Sequence, residues 1–203
     1  MRMSAQKTLL VTGFTPFPGM PVNPTALFIR RFPRIIGFNI RNVRLHYAVL
    51  PATWRGRQAV TQPLIDRLGP DAVIHFGADG KRSGINIETL AVNRANQVRC
   101  DAEGRLPGTA YLAQPAERAR RATLAPKRLR DAAARTGAAV SLSTDAGDYL
   151  CNATLWDTLG RELPAVFVHV PRLNRGRYDR RPDYPLLERA ARAVVCEAAQ
   201  TLR

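Results

Sequence analysis

With 203 residues, 45% hydrophobic and 23% charged, the chain can bury a sizeable core, and a single domain over 1–203 is expected. No apolar run approaches the roughly 20 residues of a membrane span, and Met1 to Lys7 lacks a signal-peptide core, so the expectation is a cytoplasmic protein with no membrane partner. The net charge of +15 raises nucleic acid as a partner, yet the basic patches Arg118/Arg120/Arg121, Lys127/Arg128/Arg130 and Arg172/Arg175/Arg177/Arg180/Arg181 lack interleaved aromatics and match no nucleic-acid motif, which leaves nucleic acid a minor alternative.

Thr8–Gly13 is an apolar run ending in glycine, as in a strand buried in a parallel sheet. The loop from Phe14 to Val22 sets two aromatics among three prolines, and Asn23-Pro24-Thr25 then predicts a helix to about Phe32, with Asn as cap and Pro in its first turn. Val43–Leu50 alternates as a half-exposed strand, and its His46 is read as a structural histidine. Thr53–Leu68 predicts a helix, with Pro63 marking a break or a second start. Asp71–Gly77 is the clearest strand, with His75 in its middle as a buried structural histidine. After a turn-rich loop, Ile85–Asn93 alternates so that Ile85, Ile87 and Thr89 share one face, which puts Glu88 on the other.

From Arg94 to Gln114 the pattern becomes a polar loop long enough to be functional or mobile. Pro115–Thr136 is basic and amphipathic, with a helix predicted from Pro126 and ended by Gly137. Ala138–Leu142 reads as a buried strand, and Leu150, Leu155, Trp156 and Leu159 follow a helical period. Ala165–Pro171 is another continuous apolar strand, with His169 at its C-terminal end, and a last helix begins near Tyr184. Strands and helices that alternate in this way predict an α/β fold, a three-layer α/β/α sandwich with a mainly parallel (mixed) central sheet. Right-handed crossovers would bring several strand ends to one edge.

The three cysteines, Cys100, Cys151 and Cys196, are an odd number at wide spacing, with no Cys-x-x-Cys pair for zinc and no disulfide framework. Cys151 falls at a strand-to-helix turn, where unsatisfied N–H groups and the helix dipole favour a thiolate. The commoner reading of a cysteine among apolar residues is an inert core thiol. A thiol hydrolase also needs an imidazole and a group to orient it, and His169 and Glu88 supply these at or near strand ends. Phe14 and Phe17, at the end of the first strand, are candidates for a ligand site or for core packing.

The blocks Val11-Thr-Gly-Phe-Thr-Pro-Phe17, Val22-Asn-Pro-Thr25, Gly77 to Arg82, Ile85-Asn-Ile-Glu88, Ala91-Val-Asn93, Ala146-Gly-Asp-Tyr-Leu-Cys-Asn152 and Val168-His-Val-Pro171 resemble those of the pyrrolidone-carboxylate peptidase (pyroglutamyl peptidase type I) family. The resemblance spans most of the chain. It implies an α/β/α cysteine peptidase of the cytosol, without cofactor, often a homotetramer, that removes N-terminal pyroglutamate from peptides through a thioacyl intermediate. It places Glu88, Cys151 and His169 on the catalytic trio, Phe14 and Phe17 on the pocket aromatics, and Tyr149 and Leu150 on positions that are commonly Phe and Val. Two rivals stay open: a family-like hydrolase of another lactam or N-blocked substrate, and a basic nucleic-acid binder.

The chain departs from the family's Asp-Ala-Arg-Ile-Pro-Asp at Asn96-Gln97-Val98-Arg99-Cys100-Asp101, where the arginine comes one position late. In an extended loop that shift would send the guanidinium to the opposite side, into the place of an isoleucine; a one-residue bulge would restore it, and the retained Phe14 and Phe17 favour the bulge.

Overall fold

The computed structural model describes residues 6–40, 42–114, 117–174 and 176–202; Met1–Ala5, Pro115 of the basic stretch and Arg175 of the last arginine patch lie outside them. The elements in order are β1 (Lys7–Phe14), α1 (Pro24–Ile35), β2 (Asn39–Ile40), β3 (Val43–Leu50), α2 (Trp54–Leu68), β4 (Ala72–Ala78), β5 (Ile85–Glu88), β6 (Leu90–Val92), β7 (Ala119–Arg121), α3 (Pro126–Ala134), β8 (Val140–Ser143), α4 (Leu150–Leu159), β9 (Ala165–Val170) and α5 (Tyr184–Thr201). Seven strands form a mixed sheet in the order β2-β3-β1-β4-β9-β5-β8. Its centre is parallel, and β5 runs antiparallel to β9.

Strand alternation divides this sheet into two differently equipped faces. Leu9, Val11, Ile74, Phe76, Ile85, Ile87, Val166 and Val168 point to the layer of α1, α3 and α5. On that side Phe28, Phe32 and Phe76 are wholly buried and pack as stacked or edge-on rings, each burial stabilising by about 2–3 kcal/mol. Leu10, Phe14, Val73, Ala165 and Phe167 point the other way, against α2 and α4. By the same alternation Thr12, His75, Gly77, Asn86, Glu88 and His169 all belong to the α4 face, which is where the polar chemistry collects.

The caps follow the sequence closely. Asn23 accepts a hydrogen bond from Thr25 N, Thr53 from Gly56 N and Asp183 from Leu186 N, and α2 stops at Gly69, whose φ of +50° suits a left-handed cap. Pro63 sits inside α2 without dividing it, so the expected break does not occur.

Three further expectations are corrected. The alternating segment after Ile85 is two strands, because Thr89 N and Oγ1 both donate to Ser143 O at the end of the β5–β8 ladder and the chain then leaves the sheet. It pairs instead with β7, a short basic strand inside the stretch read as amphipathic. The strand expected at Ala138–Leu142 forms at Val140–Ser143 as a sheet edge, half-exposed rather than buried.

Candidate active site

Cys151 is the second residue of α4, and the N-cap, Tyr149, makes no side-chain capping bond. The first-turn N–H groups of α4 have no intrahelical acceptors, and Leu150 and Cys151 of that turn line the same cleft. That space is open to sulfur because Gly77 has no side chain: a Cβ there would lie 2.9 Å from Sγ of Cys151 and 2.5 Å from the ring of Phe167. Gly77 is the β4 register partner of His169, which sets the imidazole beside the thiol.

His169, 3% exposed, hydrogen-bonds to the Cys151 side chain, and its Nδ1 lies 2.8 Å from Oε1 of Glu88, which is fully buried. A carboxylate can only accept, so Nδ1 carries the proton and Nε2 is left for sulfur. Burial pulls the imidazole's pKa down, but the charge of Cys151 and the hydrogen bonds to Cys151 and Glu88 outweigh it and hold it up at about 9. Arg82 joins from the loop after β4, with Nη2 3.1 Å from Glu88 Oε1 and Nε 3.1 Å from Asp79 Oδ2, and donates to Asp145 O at 2.6 Å.

Cys151, His169 and Arg82 line a cleft of about 740 Å³ whose walls include Phe14, Phe17, Tyr149 and Leu150, with Glu88 buried behind the imidazole. The turn Phe17-Pro18-Gly19-Met20 is closed by paired bonds between Phe17 and Met20, with Gly19 at φ +85°, so proline and glycine occupy the two central positions that a type II turn prefers. Tyr149 stands edge-on to Trp54, and its hydroxyl donates to Cys100 O at 2.8 Å; burial first, then nearby Asp101 and the thiols, raise its pKa to about 12 against the opposing pull of Arg99.

The loop from Arg94 to Gln114 is tied down at its neck and beside the cleft. Asn93 Oδ1 accepts from Leu112 N and Ala113 N at the neck, Asn96 holds Asp148 through backbone and side chain, and Asp101 accepts from Trp54 N, Glu103 N and Arg105 N. Asn96 Oδ1 also accepts from Val98 N and Arg99 N, so the backbone here is turned rather than extended. Val98 is 89% exposed, while Arg99 enters the cleft and lays its guanidinium 4.5 Å from the Tyr149 ring centroid and 5.7 Å from that of Phe17.

The model of the family described as pyroglutamyl peptidase matches residues 7–195. A pyrrolidone-carboxylate peptidase of Thermococcus onnurineus is 33% identical over 185 residues, which is 88% of this chain and 90% of that protein. The chain belongs to the pyroglutamyl peptidase family. Another relative, from Thermosipho africanus and of the same name, is 27% identical over 96% of this chain and 97% of its own length. Among solved structures, pyrrolidone carboxyl peptidase from Thermococcus litoralis superposes with a TM-score of 0.86 at 26% identity, covering 97% of this chain and 94% of the other.

Against this family background the structure brings Glu88, Cys151 and His169 into one hydrogen-bonded chain and puts Phe14, Phe17, Tyr149 and Leu150 on the walls of the cleft beside it. His75 stands apart. It is buried between Thr12 Oγ1 at 2.7 Å and Thr158 Oγ1 at 2.9 Å, and burial, with a smaller push from Arg57, lowers its pKa to about 3, so it is a neutral structural residue as expected. His46, half-buried on β3, has its pKa lowered by burial and by Arg44 and Arg67.

Sequence reasoning missed Gly77, Arg82 and Asn152. Asn152 is fully buried and grips Val92 through both backbone groups and Arg94 through its carbonyl, which roots the loop to the helix of the nucleophile. The only available signals were their places inside the quoted blocks. Much of the arginine charge is already engaged: Arg120 with Glu117 and the Trp156 ring, Arg128 and Arg135 with Glu197, Arg130 with Asp131, and Arg181 with Asp179.

Proposed function

We propose that this chain, working as a single domain, removes N-terminal pyroglutamate from peptides through Cys151, His169 and Glu88. The observation that carries the reading is a half-buried thiol, backed by a buried imidazole and carboxylate, that opens onto a cleft walled by aromatic rings. Pyroglutamate is a neutral lactam without a free α-amine, so an apolar slot with a few hydrogen bonds is the pocket it requires. Phe14, Phe17, Tyr149 and Leu150 provide that slot.

In this mechanism Sγ of Cys151 attacks the carbonyl carbon of the bond joining pyroglutamate to the next residue. The oxyanion that forms is met by N–H groups of the first turn of α4. The carbon–nitrogen bond breaks as imidazolium Nε2 gives its proton to the departing amine, leaving a thioester. Water then adds while the imidazole takes its proton, and cleavage of the carbon–sulfur bond returns the thiolate. Glu88 holds the imidazole and balances its charge throughout.

Release of a fluorophore from a pyroglutamyl amide, with and without a thiol alkylator, tests the reading. Thiol-dependent turnover with the label on Cys151 is expected; inactivation mapped to Cys196, or a salt-sensitive nucleic-acid shift without turnover, overturns it. Arg99 against the pocket rings favours one second reading, a related lactam bearing an additional acceptor, which a panel of substituted lactam amides separates from the first. The proposal extends to a homo-oligomer in the cytoplasm, resting on the resemblance and on the finding that, among the described residues, no helix is long and apolar enough to cross a membrane. Sedimentation velocity checks the assembly.

A further inference from the structure

Hydrogen-bonding capacity in the cleft is unevenly spent. Its carboxylates all have donors: Asp79 takes Arg82 and Lys81 N, Asp145 takes Gly147 N, and Asp148 takes Asn96. Of the cations, Arg82 is committed to Asp79 and Glu88, and Arg99 to the two rings. Arg172 and Lys81 also line the cleft, and neither has an acidic partner among the described residues. Nε of Arg172 is moreover buried with no hydrogen-bond partner among the described residues, a position that is costly unless an acceptor arrives.

Topology places these two groups on one side of the thiol. β4 and β9 are neighbours, and their ends stay together, with Asp79 N donating to Val170 O at 2.9 Å. The chain passes the imidazole of His169, leaves β9 after Val170 and reaches Arg172, and it passes Gly77, leaves β4 after Ala78 and reaches Lys81. The departing amine must lie beside His169 to receive its proton, so the residue that follows pyroglutamate leaves the thiol on this side. The aromatic rings and Arg99 occupy the slot for the lactam.

We infer that Arg172, helped by Lys81, is a specificity residue that binds a carboxylate on the residue immediately after pyroglutamate, either its α-carboxylate in a dipeptide or an acidic side chain. This rests on the pyroglutamyl reading of the site. Arg172 supplies a planar fork suited to a carboxylate, and Lys81 a mobile point charge.

Four substrates test it in two pairs: pyroglutamyl-alanine against pyroglutamyl-alanine amide for the α-carboxylate, and pyroglutamyl-glutamate amide against pyroglutamyl-glutamine amide for the side chain. In the wild type, kcat/KM should favour the carboxylate member of at least one pair by about tenfold, the worth of one charge-assisted hydrogen bond, chiefly through KM. The pair that responds identifies the source of the carboxylate. In Arg172→Gln the ratio should fall to near one, Arg172→Lys should restore part of it, and Lys81→Gln should lower it less. Raising ionic strength should shrink the wild-type ratio, which keeps the test open should the Arg172 variants fold poorly. Turnover of the neutral amides with equal rates for both members of each pair, or a ratio that survives Arg172→Gln, overturns the inference and leaves the site reading standing; no turnover of any of the four sinks both.

Discussion

His75 and His169 lie on neighbouring central strands, on the same face of the sheet, almost entirely shielded from water, with Phe167 packed 6.1 Å from one ring and 4.8 Å from the other. Their proton affinities nevertheless point in opposite directions, to about 3 for His75 and about 9 for His169. Burial acts on both as a downward push. What differs is the company: His75 has two threonine hydroxyls, which carry no charge, whereas His169 has the Cys151 side chain and the Glu88 carboxylate, both of which raise its pKa. Desolvation alone yields a histidine that stays neutral; desolvation offset by the interactions with Cys151 and Glu88 yields one that keeps its proton at neutral pH.

The contrast is broken most completely by removing either His169 itself or its thiol partner. Cys151→Ala and His169→Ala should each abolish pyroglutamyl amide hydrolysis, by about 10⁴-fold or more, with the folded far-UV spectrum retained. Appreciable turnover in the His169 variant while His75 is intact would force the base to be reassigned.

Glu88→Gln should leave a residual rate, lower by roughly 10²–10⁴-fold, because the amide can still orient the ring but cannot balance its charge. The wild-type imidazolium is present below its pKa and lost above it, so kcat/KM should fall as pH rises through about 9. In the glutamine variant that alkaline limb should move to lower pH. An unmoved limb would mean that Glu88 does not set the proton affinity of His169.

Gly77→Ala drives a methyl group into Phe167 and the sulfur, and should cost about 1–3 kcal/mol of stability together with much of the activity. Chemical denaturation and a rate assay check the two halves; a fully active, equally stable variant would show that the thiol does not need that gap.

His75→Gln sharpens the comparison through stability. The folded pKa of His75 lies below the unfolded 6.5, so its contribution is complete above pH 6.5 and is lost as pH falls toward 3, at about 1.4 kcal/mol per pH unit. The wild-type-minus-variant difference in unfolding free energy should therefore shrink with acidification, which denaturant melts at pH 7, 5.5 and 4.5 would follow; a constant difference would show that His75 is not buried neutral. The smallest effect belongs to Cys100→Ala, an exposed thiol off the cleft wall, whose kcat/KM should stay within about twofold of wild type.

Much of this was legible in the sequence because the informative features were local. Continuous apolar runs announced β1, β4 and β9, capping residues announced α1 and α2, and alternation put Glu88 opposite Ile85 and Ile87, which is the fact that carries it to the α4 face. Where tertiary contacts decided the outcome, the pattern misled or was silent. Ala119–Arg121 has no strand-like composition and becomes β7 only because β6 has left the main sheet beside it. Asn152 takes its partners from a segment about 60 residues away, and Arg82 reaches Asp145 over a similar distance, one over which spacing says nothing. Arg99 was legible only as a choice between two outcomes, because alternation depends on an extended backbone and the Asx turn at Asn96 removes it.

The neck at Asn93 carries one more consequence. With the loop cinched there and again at Asp101, residues 103–106 form an exposed turn closed on Asp101 itself, and none of them lines the cleft. That turn is a place where the chain can be lengthened: doubling a loop costs only about 0.6 kcal/mol in closure entropy, and the added residues would load the outer knot rather than the walls around the thiol. A short peptide tag or a second binding module spliced into it would ride on the enzyme without passing through its working parts.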